Sequence, residues 1–211
     1  FFFKQKTAYE IMPSLVGSVI DMGELRLDGI IDPGHVSTVI GRKPWIPITE
    51  KHKLPQVIAG FEPLDLLMGI YMLAKQVVEG RADVEIEYTR AVSEDGNRRA
   101  IEAINEVFET TEASWRGLGT VPESGMNIRK KYEDYDAMRK YEDVLEEIKD
   151  AEFPDPEGCR CGEVIRGVLY PHECPLFGRV CTPSHPVGPC MVSVEGGCAI
   201  EYKYKVKRSL P

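Results

Sequence analysis

The sequence predicts a layered α/β domain with a largely parallel sheet, followed by a C-terminal module rich in cysteine. Short apolar runs alternate with amphipathic stretches through most of the chain, a pattern typical of strands joined by helices. All six cysteines lie between Cys159 and Cys198. This part is also rich in proline and glycine and poor in aliphatic residues, so covalent or metal bonds are expected to hold it together.

Two short strands and the helix between them are predicted first. Residues 29–31 form an apolar run that ends at the turn sequence Asp-Pro-Gly. A helix is predicted over residues 35–40, and Gly41 ends it. Residues 56–59 form the second apolar run, which Gly60 closes.

The alternation of helix and strand continues after the second run. A longer helix is predicted from Pro63 to Gly80, because proline suits a first turn and glycine commonly follows a helix end. Apolar and acidic residues alternate over 84–88, which predicts a half-buried strand. Asn97 is a suitable N-cap for a further helix with apolar residues at helical spacing as far as Phe108. Strands separated by helices favour a parallel sheet.

The domain division follows from a break in periodicity. A charged helix with an apolar stripe is predicted over residues 132–149. From residue 153, proline, aspartate and glycine interrupt all periodic patterns. We therefore assign residues 19–152 to the α/β domain and residues 153–211 to the cysteine-rich module.

Residues 1–18 are set apart from the fold. Their sequence, FFFKQKTAYEIMPSLVGS, shows no helical or strand period and looks like a translated sequencing adapter. A secretory signal is disfavoured because polar and charged residues stand where the apolar central region is required. We therefore expect this segment to be non-native, its removal to leave folding unchanged, and the true coding sequence to have begun upstream.

Composition argues against several classes of partner. The chain has 211 residues and a formal net charge of −8, whereas nucleic-acid binding needs clustered positive charge. No run approaches the ~20 apolar residues of a membrane span. A local cluster of cysteines in an acidic chain without a signal sequence indicates metal or redox chemistry. We expect a cytoplasmic protein with no nucleic-acid or membrane partner.

The cysteines form one tight pair followed by single residues. Their positions are Cys159, Cys161, Cys174, Cys181, Cys190 and Cys198. Thiolates suit zinc or iron–sulfur clusters, and a [4Fe–4S] cluster takes four of them. The first four can wrap a cluster in proline-stiffened loops, which leaves the last two as a second pair. A structural zinc site and a purely disulfide-bonded module are the alternatives, although zinc sites more often use Cys-x-x-Cys knuckles.

Seven segments form a recognisable series in chain order. They are IDPGHVSTVIG, AGFEPLDLL, EYTRAVSEDGN, WRGLGTVPESG, CRCGEVIRG, ECPLFGRVCTP and PVGPCMVSVEGGC. Together they resemble the C-terminal half of the HypD family, the maturation scaffolds of [NiFe] hydrogenases, over about residues 25–204. The first half of that family, with its CGTHT and PGCPVC-like segments, has no counterpart here. We therefore expect a truncated protein that is inactive alone.

The resemblance implies a redox-active scaffold rather than a stand-alone enzyme. Such a scaffold assembles the Fe(CN)2CO unit with a HypC-like chaperone and takes cyanide groups from a HypE-like donor. The resemblance also implies a [4Fe–4S] cluster with ligands Cys159, Cys161, Cys174 and Cys181, and a redox pair of Cys190 and Cys198. Two alternatives stay open, a zinc-stabilised protein-interaction module and a cluster-dependent thiol oxidoreductase.

Four other residues are considered for the site. His35 begins a predicted helix, where it could face a ligand or partner or pack locally, and the resemblance favours a functional surface. Glu62 lies between a strand and a helix, at the usual ligand edge of an open α/β sheet, and we expect it to cap helix amides. His172 and His185 flank cysteine loops and could serve as ligands in a mixed zinc site.

Overall fold

The structure is a computed structural model that describes residues 11–23, 27–115, 118–149 and 156–204. The strands are β1 (Ile30–Pro33), β2 (Gln56–Ala59), β3 (Val84–Ile86), β4 (Phe108–Trp115) and β5 (Gly119–Ile128). The α-helices are α1 (Ile11–Asp21), α2 (Gly34–Ile40), α3 (Ile46–His52), α4 (Pro63–Glu79), α5 (Arg98–Val107), α6 (Ala137–Lys140), α7 (Glu142–Lys149), α8 (Cys161–Ile165), α9 (Pro189–Val192) and α10 (Gly197–Tyr204). Short 3-10 helices cover Lys43–Trp45, Lys130–Tyr135 and Pro171–Glu173.

The chain divides into two compact units. One comprises Phe1–Ala113 and Val121–Asp136, and the other comprises Ser114–Thr120 and Ala137–Pro211. The first unit carries the predicted α/β fold, and the second carries the cysteine-rich module. The boundary predicted at residue 153 lies outside the described residues.

The first unit is built on a three-stranded parallel sheet in the order β1–β2–β3. Ile30 is aligned with Gln56, and Gln56 in turn with Val84. All four residues of the central strand β2 are buried, as expected for a parallel strand covered on both faces. The three predicted strands are confirmed, and so are the helices α2, α4 and α5. Asn97 caps α5 as predicted, with its side-chain oxygen accepting the Ala100 N–H at 3.1 Å.

A hydrophobic core lies on one face of this sheet. Trp45 is fully buried within it, and its indole N–H donates to Ser37 Oγ at 3.1 Å. Ser37 in turn donates to the Pro33 carbonyl at 2.9 Å, which ties α2 to the end of β1. The other buried members are Ile40, Ile48, Ile58, Val84 and Val92. The buried indole N–H is therefore paired, which avoids the cost of burying an unsatisfied hydrogen-bond donor.

Two buried glutamines link the sheet to its neighbouring helices. Gln56 Nε2 donates to the Trp45 carbonyl at 2.9 Å and to Thr49 Oγ1 at 2.6 Å. Gln76 Nε2 donates to the Gln56 carbonyl at 3.3 Å, and its Oε1 accepts the Asp83 N–H at 2.9 Å. Gln56 thus joins β2 to α3, and Gln76 joins α4 to the starts of β2 and β3.

An ion pair fixes the connection between β2 and α4. The Arg90 guanidinium donates to both carboxylate oxygens of Asp65, at 2.8 and 2.6 Å. Asp65 also accepts the Glu62 N–H at 3.3 Å, in the first turn of the helix. A side chain at Gly60 would collide with the Asp65 carboxylate, so this position requires glycine. Bidentate arginine–carboxylate pairs impose geometry as well as energy, which suits a fixed loop.

The single helix predicted over residues 132–149 is wrong. Tyr132 has a non-helical backbone (φ −116°, ψ 19°), and Asp136 is extended before α6 begins. Tyr135, Met138 and Val144 of the predicted apolar stripe are exposed. Because short helices gain most of their stability from packing, an exposed stripe does not hold a continuous helix together.

Two strands and five helices of the described ranges occur where none is predicted, and these helices are α1, α3, α8, α9 and α10. Strands β4 and β5 pair as a two-stranded sheet, although their sequences lack regular alternation of apolar and polar residues. Helix α1 overlaps the segment over 1–18 that was set apart, and Val16 and Ile20 pack against the first unit's core. This helix therefore adds to the buried apolar surface. Residues 1–10 lie outside the described residues.

Asp32 is the one acidic residue at the end of β1, and it is buried in an apolar setting. It is 1% exposed, and neither carboxylate oxygen has a hydrogen-bond partner among the described residues. Loss of hydration on burial raises its pKa from 3.8 to about 8. The folded unit therefore binds this proton more tightly than the unfolded chain does. The stability that depends on the neutral acid is complete below pH 4 and is lost as the pH rises to about 8.

We predict that Asp32→Asn raises the stability of the first unit at pH 7 by roughly 4 kcal/mol, because asparagine does not ionise. The gain should vanish toward about pH 3, roughly one unit below the unfolded pKa, where Asp32 is protonated in both states. Urea unfolding between about pH 3 and pH 8, followed by Trp45 fluorescence in a Trp115→Phe background, measures this. The matched control is Asp28→Asn at an exposed position. A gain that is the same at every pH would contradict the prediction.

Candidate functional site

The six cysteines come together in the second unit from four separate segments. Cys161 begins α8, Cys190 lies in α9 and Cys198 lies in α10. Cys174 follows the 3-10 helix Pro171–Glu173. Five of the thiols are buried, and Cys159 is half-buried.

Sulfur provides most of the core of this unit. The buried cluster consists of Cys161, Cys181, Cys190, Cys198, Met191 and Ala199. Partly buried residues pack around it, namely Cys159, Val164, Leu176, Phe177, Val187 and Tyr202. The predicted cysteine-rich module with little aliphatic core is confirmed.

The loop over residues 174–181 is held by its own backbone. The Phe177 N–H donates to the Cys174 carbonyl at 3.0 Å, and the Cys181 N–H donates to the Leu176 carbonyl at 2.9 Å. The Gly178 N–H donates back to the Cys181 carbonyl at 3.0 Å, with glycine in the left-handed region at φ 69°. These bonds fix where the two cysteines of the loop lie.

Backbone amides from the segment over 186–190 bond to sulfur. The Cys190 N–H donates to Cys161 Sγ at 3.2 Å, and the Val187 N–H donates to Cys181 Sγ at 3.4 Å. Gly188 packs tightly between them, since an added Cβ would lie 2.8 Å from Cys159 Sγ and 3.1 Å from Cys161 Cβ. The sequence analysis did not identify Val187 and Gly188 as residues that contact the thiols. The available signal was a glycine between two prolines next to a cysteine.

This donor set fits an iron–sulfur cluster. Soft thiols shielded from water, with amide N–H groups directed at sulfur, are the features that protein sites use to hold and tune such clusters. Within the described ranges, no three His, Cys, Asp or Glu side chains form a group that could hold a metal ion. In a [4Fe–4S] cluster each thiolate binds a different iron, so its ligands need not converge on one ion.

The remaining two thiols, Cys190 and Cys198, lie close together. Cys190 Sγ lies 3.1 Å from Cys198 Sγ, about 1 Å more than a disulfide bond. Burial raises the pKa of Cys190 to about 12 and that of Cys198 to about 11. Burial also raises the pKa of the Cys159 thiol. All three are therefore neutral thiols at pH 7, and metal binding would have to displace their protons.

Each histidine considered from the sequence has a partner other than sulfur. His172 Nδ1 lies 2.6 Å from a carboxylate oxygen of Glu201. His185 exchanges backbone hydrogen bonds with Thr182, at 3.1 and 3.0 Å. In the first unit the His35 ring packs on Phe61, with ring centroids 5.1 Å apart, and Glu62 lies 3.5 Å from Arg90. The structure thus gathers the six cysteines and gives these other residues local roles.

Comparison with known proteins identifies the family. The HypD sequence model, described as the hydrogenase formation hypA family, matches residues 2–205. The chain belongs to the HypD family. The helices of the described ranges include none that is long and apolar enough to cross a membrane.

Curated members of the HypD family are similar along most of this chain. A putative hydrogenase expression/formation protein of Methanocaldococcus jannaschii is 51% identical over 179 residues, covering 85% of this chain and 49% of that protein. The hydrogenase maturation factor HypD of Cupriavidus necator is 41% identical over 216 residues, covering 99% of this chain and 56% of that protein. The chain therefore spans about half the length of these relatives.

We predict that Gly188→Ala loosens the packing around Cys159 and Cys161, because the added methyl overlaps both residues. A destabilisation of roughly 1–3 kcal/mol is typical of an overpacked core. The measurement is the rate at which iodoacetamide alkylates the thiols of metal-free protein, which should rise several-fold. Gly197→Ala is the matched control, because its Cβ would make an ordinary 3.6 Å contact with Val164. Equal alkylation rates for the two variants would show that Gly188 is not tightly constrained.

Proposed function

We propose that this chain is part of a cytoplasmic scaffold on which the Fe(CN)2CO unit of [NiFe] hydrogenase is assembled. Membership of the HypD family supports a role in hydrogenase maturation. The observation that carries the redox part of the proposal is the 3.1 Å separation of Cys190 Sγ and Cys198 Sγ beside Cys161. Two thiols at this distance need only a small movement to form a disulfide.

We further propose that four thiols hold a [4Fe–4S] cluster as a resident cofactor. The ligands are Cys159, Cys161, Cys174 and Cys181. When bound, the cluster accepts or donates one electron at a time. The amides of Val187 and Cys190 hold and orient the sulfurs of Cys181 and Cys161. Shielding from water by this unit's core favours cluster retention.

The thiol pair supplies reducing equivalents in this proposal. Closing the bond between Cys190 and Cys198 releases two electrons and two protons, one proton from each sulfur. In this proposal the oxidant is the cyanide-carrying group of the HypE-like donor, which takes up the two electrons as its cyanide is released to iron, and the two protons pass to that donor or to solvent. Burial keeps both thiols neutral until an oxidant withdraws electrons, which protects them from unspecific alkylation and oxidation.

Protein partners are part of the proposed function. We propose a HypC-like chaperone and a HypE-like cyanide donor, with the iron unit as cargo. An exposed apolar face on α4 supports contact with other protein surfaces, because soluble domains rarely expose large apolar patches. Its exposed residues include Leu64, Leu67, Ile70, Tyr71 and Val78, with exposed fractions between 53% and 87%.

Anaerobic purification followed by iron, sulfide and zinc analysis tests the cofactor. We expect about four irons and four sulfides per chain. Cys161→Ser should lose most of the cluster absorbance. Cys190→Ser should keep it, because the Cys190 amide that bonds to Cys161 Sγ belongs to the backbone. One zinc without iron in the parent protein would favour a zinc-stabilised interaction module. Equal bleaching in both variants would overturn the division into four ligands and one pair.

Differential thiol labelling with mass spectrometry, at controlled potentials, tests the redox pair in cluster-loaded protein. We expect Cys190 and Cys198 to lose labelling together on oxidation and to regain it on reduction, in a two-electron transition. Cys198→Ser should abolish the transition and leave Cys190 labelled throughout. Unchanged labelling of the pair from strongly reducing to mildly oxidising potentials would rule out the redox role.

A further inference from the structure

A short turn joins the helices that carry the two neighbouring thiols. Cys190 lies in α9 and Cys198 in α10, and these two helices pack against each other. The Gly196 N–H donates to the Ser193 carbonyl at 3.0 Å, and the Glu195 N–H donates to Ser193 Oγ at 3.2 Å. Such local bonds from a serine close a turn on itself. The turn therefore brings the start of α10 back against α9.

Gly196 lies directly against the backbone of Cys190. A Cβ added at Gly196 would overlap the Cys190 carbonyl oxygen, and it would lie 2.8 Å from the carbonyl carbon and 3.1 Å from Cα. All three are backbone atoms, so rotation of a side chain could not relieve the overlap. The Gly196 carbonyl accepts the Ile200 N–H at 2.9 Å, in the first turn of α10. Glycine at this position thus allows the helix that carries Cys198 to begin in contact with the Cys190 backbone.

The backbone of Cys190 is also held at its amide. The Cys190 N–H donates to Cys161 Sγ at 3.2 Å, while its carbonyl lies against Gly196. Its side chain places Sγ 3.1 Å from Cys198 Sγ. Because disulfide geometry allows only a narrow range of Cα and Cβ separations, a displacement of either helix changes how readily this bond closes. A side chain at position 196 would produce such a displacement.

We propose that Gly196 is a positioning residue, which sets the distance across which Cys190 and Cys198 form their disulfide. With glycine there, the two sulfurs need to approach by only about 1 Å to bond. In that step two S–H bonds break and one S–S bond forms, and two electrons and two protons leave the pair. They pass to the oxidant, which in the proposed reaction is the cyanide-carrying group of the donor. The inference rests on the redox role proposed above.

The redox equilibrium of the pair tests this inference in the whole chain, prepared anaerobically. Parent and variant proteins are equilibrated in dithiothreitol and glutathione buffers of known potential, whose disulfide component is reduced as the pair is oxidised. Thiol labelling with mass spectrometry gives the oxidised fraction of Cys190 and Cys198 separately from the other cysteines. We expect Gly196→Ala to lower the equilibrium constant for disulfide formation by about 10-fold, which corresponds to about 30 mV for a two-electron couple.

Two further variants accompany Gly196→Ala. Gly197→Ala is the matched control in the neighbouring position, because its Cβ would make only an ordinary 3.6 Å contact with Val164, and it should keep the parental constant. Ser193→Ala changes an exposed residue and removes the hydroxyl that accepts the Glu195 N–H. This milder loosening of the turn should lower the constant by about 2-fold.

The equilibrium constant separates positioning from a purely structural role. A loss of stability that affects the dithiol and disulfide forms equally leaves this constant unchanged. A parental constant in Gly196→Ala, or an equal decrease in Gly197→Ala, would overturn the inference. If Gly196→Ala does not fold, a parental constant in Ser193→Ala would do so. A parent protein whose pair shows no two-electron transition would instead overturn the proposed redox role, and the inference with it.

Discussion

The second unit depends on the close packing of sulfur. Its core consists of four buried cysteines, one methionine and one alanine, with few aliphatic side chains around them. Such a core buries little apolar surface for the number of residues it must order, and small cores of this kind usually need covalent or metal bonds. The amide bonds to Cys161 and Cys181 and the close fit of Gly188 arrange the sulfurs without an aliphatic scaffold. The same contacts that hold the unit together are those that a cluster would use.

The first unit solves a different problem, which is how to bury polar groups in a thin parallel sheet. Gln56, Gln76 and Trp45 are buried, and each donates to a carbonyl or hydroxyl nearby. The exceptions are the Asp32 carboxylate and Gln56 Oε1, which have no hydrogen-bond partner among the described residues. The unit therefore holds one acid whose neutral form it favours. The ion pair of Asp65 and Arg90 fixes the connection that follows the neighbouring strand β2. The unpaired carboxylate of Asp32 thus lies on a strand adjacent to one whose following loop is fixed by an ion pair.

The sequence was sufficient for elements with a clear period or a strong cap. Helix α4 begins at proline and ends before glycine, and α5 begins at a capping asparagine, so local chemistry set their limits. Strands β4 and β5 were missed because they lack the alternation of a half-buried strand. The helix over 132–149 was predicted from an apolar stripe whose members Tyr135, Tyr141 and Val144 are exposed. In the site, the gathering of the cysteines followed from composition and spacing. The sulfur-directed amides of Val187 and Cys190 did not, because they depend on how the backbone folds over distant residues.

Both units close contacts between residues that are similarly far apart along the chain. Partners on the parallel strands lie 26 residues apart for Ile30 and Gln56, and 28 residues apart for Gln56 and Val84. In the second unit, Cys190 and Cys161 lie 29 residues apart. The loop-closure entropy is therefore comparable, and what separates the two units is the apolar surface that each one buries. The unit with the sulfur core buries less, so its refolding is the one expected to depend on bonds made at sulfur.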